Sequence, residues 1–260
     1  VPVDRRSLLG LPLAAAGATA VARLATDPAL GAVAPGAARP ARQSPIDIRP
    51  DRVRRVAGLP PLEVHYARSA AVSVRYVSKD DPAGGGCQAR GDQETEEVDV
   101  EEGAGHVTLA GHRWDLLQLH FHTRSEHTVD GRHFPLELHL VHQDAAERRL
   151  VIGVLLRPGR RSELDRILVR LPQECGQAVE VPDLDLASLV PRRPRTLRYR
   201  GSLTTDPYTE GVRWFLTVPR TTSRAGIDAF RSLFPDGDSR PTQPLAGRRV
   251  VADPGWHARR

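Results

Sequence analysis

Methionine is absent from the 260 residues, lysine is reduced to Lys79, and cysteine to Cys87 and Cys175. With no C-x-x-C anywhere, a thiolate zinc site and a dithiol redox motif are excluded. The two cysteines are open to one disulfide in an exported protein or to two separate thiols, and their spacing does not decide between them. Aromatic residues make up only 5% of the chain, and no basic run is interleaved with them. The net charge of +5 therefore reads as scattered arginine rather than a nucleic-acid-binding surface, and no nucleic-acid partner is expected. No apolar run reaches the length of a stable membrane span: the stretch from Leu8 to Ala22 is stopped by Arg23. No internal repeat divides the chain.

What is present begins with a leader. Arg5-Arg6-Ser7-Leu8-Leu9 followed by an Ala-rich stretch has the form of a twin-arginine export signal, expected over residues 1–25. An Ala/Pro/Gly-rich linker is expected over 26–42, one domain over 43–252, and a tail over 253–260. Once the signal is removed, no stable membrane insertion is expected.

Within the domain, strands are predicted at 62–66, 71–77, 106–110, 113–122, 135–143, 150–156 and 212–218. Two short helices are predicted. Ser162 would cap residues 163–171, with Leu164, Ile167, Leu168 and Leu171 on one face, and Ser223 would cap residues 225–234. The polar, acidic segment 78–97 reads as an exposed loop insertion. Many strands and few helices predict a β-dominated α+β domain.

The chemistry is concentrated in Gln118-Leu119-His120-Phe121-His122 and in Glu137-Leu138-His139-Leu140-Val141-His142. Alternate residues of a strand share a face, so Gln118, His120 and His122 oppose Leu117, Leu119 and Phe121. Glu137, His139 and Val141 likewise oppose Leu136, Leu138 and Leu140. Neighbouring strands would bring three imidazoles together, leaving the fourth position of a tetrahedral zinc ion open, the arrangement of a catalytic site. Gln118 and Glu137 would accept the outer ring N–H of a ligand histidine and set its tautomer. His142 would point to the other face, and His127 and His133 would be structural residues of a connecting loop. His65, His106, His112 and His257 belong to no pattern and are expected at the surface.

These segments resemble the alpha-class carbonic anhydrases in their bacterial form. The resemblance is carried by Gln43-Ser44-Pro45-Ile46-Asp47-Ile48, by the two histidine segments with Ser125-Glu126-His127-Thr128-Val129 between them, by Gly201-Ser202-Leu203-Thr204-Thr205 followed by Glu210-Gly211-Val212 and Trp214, and by Arg240-Pro241-Thr242-Gln243-Pro244-Leu245. It runs from about residue 43 to 251. It implies a large, mostly antiparallel twisted sheet with Zn2+ at the bottom of a conical cavity, held by His120, His122 and His139. It further implies reversible hydration of carbon dioxide to bicarbonate and a proton, through hydroxide formed at the zinc near neutral pH. Thr204 would hold that hydroxide and donate to Glu126, Thr205 would place bicarbonate, and Val141, Val151, Leu203, Val212 and Trp214 would form the apolar wall.

The chain also departs from that pattern. The segment before Gln43 lacks the family's aromatic residues, and a tyrosine of the water network has no counterpart. The family's bacterial disulfide cannot form, since one of its positions is Tyr208. Thr204-Thr205-Asp206-Pro207 stands for Thr-Thr-Pro-Pro, and Asp238 for an asparagine. The proton-shuttle histidine is missing, and Glu94 or its neighbours in the 78–97 insertion fall near its place. A catalytically silent zinc- or bicarbonate-binding relative is therefore the alternative to an enzyme. Another kind of zinc hydrolase is disfavoured by the absence of His-Glu-x-x-His.

Overall fold

The structure, a computed structural model, describes residues 41–78, Cys87, Arg90 and residues 94–259. The leader expected at 1–25, and all of the expected linker but Ala41 and Arg42, lie outside the described residues. Two-residue alternation builds the strands. Leu62–Tyr66 buries Leu62, Val64 and Tyr66 and leaves Glu63 and His65 part-exposed. All seven predicted strands form, with ends shifted by at most two residues.

The main sheet runs, edge to edge, through Ala178–Leu184, Ala70–Ser78, Glu94–Val100, His112–His122, Leu136–Gln143, Arg149–Pro158, Glu210–Thr217, Thr196–Ser202, Val251–Ala252 and Arg54–Arg55. Most neighbours are antiparallel, and Arg149–Pro158 pairs in parallel with Glu210–Thr217. With only two α-helices among the described residues, the β-dominated expectation holds.

Three long strands escaped prediction. Thr196–Ser202 carries Arg198 and Arg200 on its polar face, and Ala178–Leu184 is an edge strand that tolerates Pro182. The third, Glu94–Val100, corrects the expected loop at 78–97: Ser78 ends one strand and Glu94–Glu97 begin its neighbour. Acidic composition hid a strand whose pairing on both sides supplies what its propensity lacks.

The tail expectation is also corrected. Asp253 accepts from the Thr196 backbone at 2.8 Å and pairs with Arg198 at 3.1 Å, and Trp256 is buried. Cys87 and Cys175 form a disulfide with Cα atoms 5.7 Å apart, which settles the open pairing.

Ser223 caps the helix Arg224–Leu233 as expected, accepting from the Gly226 N–H at 2.9 Å. Ser162 does not cap. The first helix is only Asp165–Leu168, and Asp165 instead accepts from the Ser162 N–H at 2.7 Å and from the Thr222 hydroxyl at 3.0 Å. One carboxylate thus ties the start of this helix to the start of the other.

A larger core, including Leu119, Phe121, Leu138, Leu140, Ile152, Phe230 and Phe234, lies on one side of the sheet. A smaller one, including Ile46, Val141, Val151, Tyr199, Val212 and Trp214, lies on the histidine side. In the His112–His122 strand the inward phase changes, because Leu116 pairs with His142 and Gln118 with Val141, leaving Leu117 as the extra residue of a β-bulge. Leu117 is therefore 39% exposed at the rim of the histidine face rather than packed beside Leu119, as simple alternation predicts.

Candidate metal centre

Register brings the histidines together. His120 is the Cα partner of His139, and His122 of Glu137. One step outward, Gln118 pairs with Val141, Val141 with Val151, and Val151 with Trp214. The result is a polar row at the base and an apolar row above it.

Each imidazole is held from behind. His120 Nδ1 lies 2.9 Å from Gln118 Oε1, and His139 Nε2 lies 3.0 Å from Glu137 Oε1. His122 Nδ1 lies 3.3 Å from the Asp238 carbonyl oxygen. Those partners are acceptors, so the outer nitrogens carry the protons and the inner nitrogens present lone pairs. Gln118 and Glu137 thus stand where their same-face spacing placed them.

The inward atoms, His120 Nε2, His122 Nε2 and His139 Nδ1, fall within 4.8 Å of one another, with His120 Nε2 and His139 Nδ1 at 3.2 Å. Two imidazole nitrogens on one tetrahedral zinc stand about 3.3 Å apart, from bonds of about 2.05 Å. Glu126 Oε2 adds negative charge behind them, 3.7 Å from His122 Nε2 and 3.9 Å from His139 Nδ1, and it has no hydrogen-bond partner. Lone pairs converging on one point repel unless a cation lies between them, so the residues present fit zinc.

A second group, His127, Glu137 and His139, is a hydrogen-bonded set rather than a rival site. Glu137 Oε1 accepts from His127 Nδ1 at 2.8 Å as well as from His139, and Glu137 Oε2 accepts the His127 backbone N–H at 2.8 Å. Burial alone would raise the Glu137 carboxyl, but the electrostatic pull and hydrogen bonds of the His127 and His139 imidazoles bring it well below the usual carboxylate range. On its other side His127 Nε2 accepts from the Tyr199 hydroxyl at 2.7 Å, and Tyr199 meets Ser44 Oγ at 2.9 Å. His127 is thus fully buried support for His139, a role its loop position did not announce.

Gly201 is what lets Ser44 close in: a Cβ there would sit 2.0 Å from Ser44 Oγ. The closing motif joins the same layer. Arg240 donates its backbone N–H to Glu126 Oε1 at 3.0 Å and its guanidinium to the Ser44 carbonyl at 2.7 Å. Among the described residues no hydrogen bond joins Thr204 to Glu126, whose Oε2 stays without a partner.

Above the histidines opens a cavity of about 290 Å³, lined by His120, His139, Val141, Val151, Leu203, Thr204, Thr205 and Trp214 among others. Val212 is buried in the adjoining core and does not line it. Nor does Glu94. Its strand alternates, so Glu94 and Glu96 point to the larger core while Thr95 and Glu97 face the cavity. Glu94 instead meets the Tyr76 hydroxyl, and burial followed by that contact raises Tyr76 to about 12. Glu97, of the same segment, accepts from Gln118 Nε2 at 3.0 Å, and burial beside Asp99 pushes it up to about 7.

The remaining histidines follow expectation in part. His142 is buried on the other face against Tyr66 at 2.7 Å, and burial lowers it to about 4. His112 and His257 are exposed, whereas His65 and His106 are half-buried and stacked at 4.8 Å as a cross-strand pair.

The family model for eukaryotic-type carbonic anhydrase matches residues 32–254. The chain is 38% identical over 148 residues to a carbonic anhydrase of Klebsiella pneumoniae, a match covering 56% of this chain and 60% of that one. It is 32% identical over 217 residues to alpha carbonic anhydrase 7 of Arabidopsis thaliana, covering 80% of this chain and 73% of that one. The bacterial matches span about three fifths of those relatives' length. Among solved structures, alpha-carbonic anhydrase from Thermovibrio ammonificans in complex with sulfanilamide superposes with a TM-score of 0.68 at 35% identity, covering 81% of this chain and 86% of that one.

Proposed function

The chain belongs to the eukaryotic-type, alpha-class carbonic anhydrase family, and on that premise we propose that it catalyses the reversible hydration of carbon dioxide to bicarbonate and a proton. The observation that carries the reading is the convergence of three inward imidazole lone pairs at zinc spacing beneath a cavity with one apolar wall. His120, His122 and His139 would hold Zn2+, and Gln118, Asp238 and Glu137 keep their outer nitrogens protonated. When bound, the ion supplies the Lewis acidity that turns water into a nucleophile near neutral pH.

The chain's own groups do the rest. Val141, Val151, Leu203 and Trp214 give carbon dioxide an apolar surface. The Thr204 hydroxyl orients the attacking oxygen, and the partnerless Glu126 Oε2 is the acceptor available to the Thr204 proton. Thr205 stands on the same rim to place bicarbonate. The reading is tested by metal analysis together with a hydration assay before and after chelation. Stoichiometric zinc and chelator-sensitive turnover support it, whereas zinc without turnover establishes the silent binding relative instead. Export is the accompanying proposal, supported by the disulfide, which suits an oxidising compartment.

A further inference from the structure

The outer wall of the cavity contains a cation that carbon dioxide does not require. Arg149 lines the cavity with Val151, one same-face step and roughly 6–7 Å farther from the histidines along their strand. It is the only arginine or lysine in that lining, among Leu117, Val141, Val151, Leu203 and Trp214. Its side chain is half-buried, and its Nη1 is enclosed and has no hydrogen-bond partner. The one carboxylate of the lining, Glu97, is already engaged by Gln118 at 3.0 Å and by Arg75 at 3.6 Å.

A guanidinium is permanently charged, and leaving one of its donors enclosed and unmade is costly. Nη1 has no open surface, so a ligand meets this half-buried guanidinium through its other donors, and the one carboxylate of the lining is not free to take them. A neutral linear molecule cannot, whereas a planar oxyanion matches the guanidinium fork with two parallel hydrogen bonds. The two ends of the proposed reaction differ in this respect. We infer that Arg149 forms a bicarbonate-holding subsite on the outer cavity wall, outward of the position over the histidines. The inference rests on the proposed reaction for the identity of the anion, but the site itself rests on Arg149. Arg149 would take bicarbonate as it leaves the metal position, and would gather it there in the reverse direction.

The experiment is a calorimetric titration of bicarbonate at pH 8 into the purified, zinc-loaded chain and its Arg149→Leu and Arg149→Lys variants, with melting curves for each. Replacing Arg149 by Leu is expected to raise the dissociation constant about ten-fold or more, the effect of losing a charge-assisted hydrogen-bonded pair. Lysine keeps the charge without the fork and should fall between. Should the leucine variant melt early, Arg149→Gln takes its place with the same expected direction. Equal affinities in wild type and in a well-folded uncharged variant would overturn the inference, because the anion would then be held without Arg149. The wild-type hydration assay reports separately on the reaction. Arg149-dependent binding in a chain without turnover would leave the subsite standing and remove the enzyme, and turnover with Arg149-independent binding would do the opposite.

Discussion

His122 is held by Asp238 through backbone and side chain together: Nδ1 lies 3.3 Å from the Asp238 carbonyl and 3.6 Å from its Oδ2. Asp238 is itself fixed, exchanging hydrogen bonds with Thr123 through its Oδ1 at 2.7 Å and its backbone N–H at 2.9 Å. The residue that orients one histidine is therefore locked to the end of that histidine's own strand. Asp238→Ala keeps the carbonyl but removes the carboxylate that fixes it to Thr123, and should weaken zinc affinity by up to about 10-fold, the low end of the cost of disturbing an outer partner of a ligand histidine. Competition with a chelator of known affinity measures it, and unchanged affinity would show that the carbonyl holds His122 without help from the Asp238 side chain.

His139→Ala should lose the metal outright, because two imidazoles and water bind zinc poorly. His127→Ala, which removes only a partner of Glu137, should keep zinc with reduced affinity. If both variants retain one zinc per chain after dialysis, the ion sits elsewhere.

Thr204→Ala should keep zinc and reduce carbon dioxide hydration about 100-fold, the scale of one oriented catalytic hydrogen bond. Metal content and turnover measured on the same sample separate this outcome from loss of the site. Full activity in the variant would deny Thr204 its orienting role.

Glu94→His should leave turnover at low buffer concentration unchanged. The side chain at this position points to the larger core beside Tyr76, so a new imidazole there cannot relay protons from the cavity. A variant whose turnover rises and loses its dependence on added imidazole would show that position 94 reaches the cavity.

Glu96 predicts a pH dependence of stability. Burial, opposed by Arg90 at 2.7 Å, raises its carboxyl from 4.5 to about 7. The folded chain then holds a proton that the unfolded chain has released. Stability is unaffected below about pH 4.5, falls as pH rises toward 7, and stays reduced above it. The shift corresponds to roughly 3 kcal/mol. Denaturant unfolding of wild type and Glu96→Gln at pH 4.5 and pH 8 should show the variant gaining relative stability at the higher pH. A difference independent of pH would mean that Glu96 titrates normally.

How far the site could be read in advance depended on the distance over which each residue's role is set. His120, His122 and Gln118 share a strand face by spacing alone, as do Glu137, His139 and Val141. Their conjunction needed only that two strands be neighbours. The helix at Arg224–Leu233 was equally local, since Ser223 caps its own chain three residues on. Polar composition misled at Glu94–Val100, whose neighbours on both sides make it a strand, and simple alternation misled at Leu117, where the bulge reverses it.

The sequence by itself determined the candidate ligand set, the two outer-nitrogen partners on the same strands, and the family. Each of these is a matter of residue type at a fixed interval along an extended chain. Tertiary structure alone decided the rest. It brought Asp238 to His122 across 116 positions, Arg240 to Glu126 across 114, and Tyr199 to His127 across 72. It closed Cys87 onto Cys175, turned Glu97 rather than Glu94 into the cavity, and left Arg149 in an apolar wall. The physical reason is that strand periodicity tells which residues share a face. Which faces meet is settled by the sheet order and by the burial that holds the sheet together.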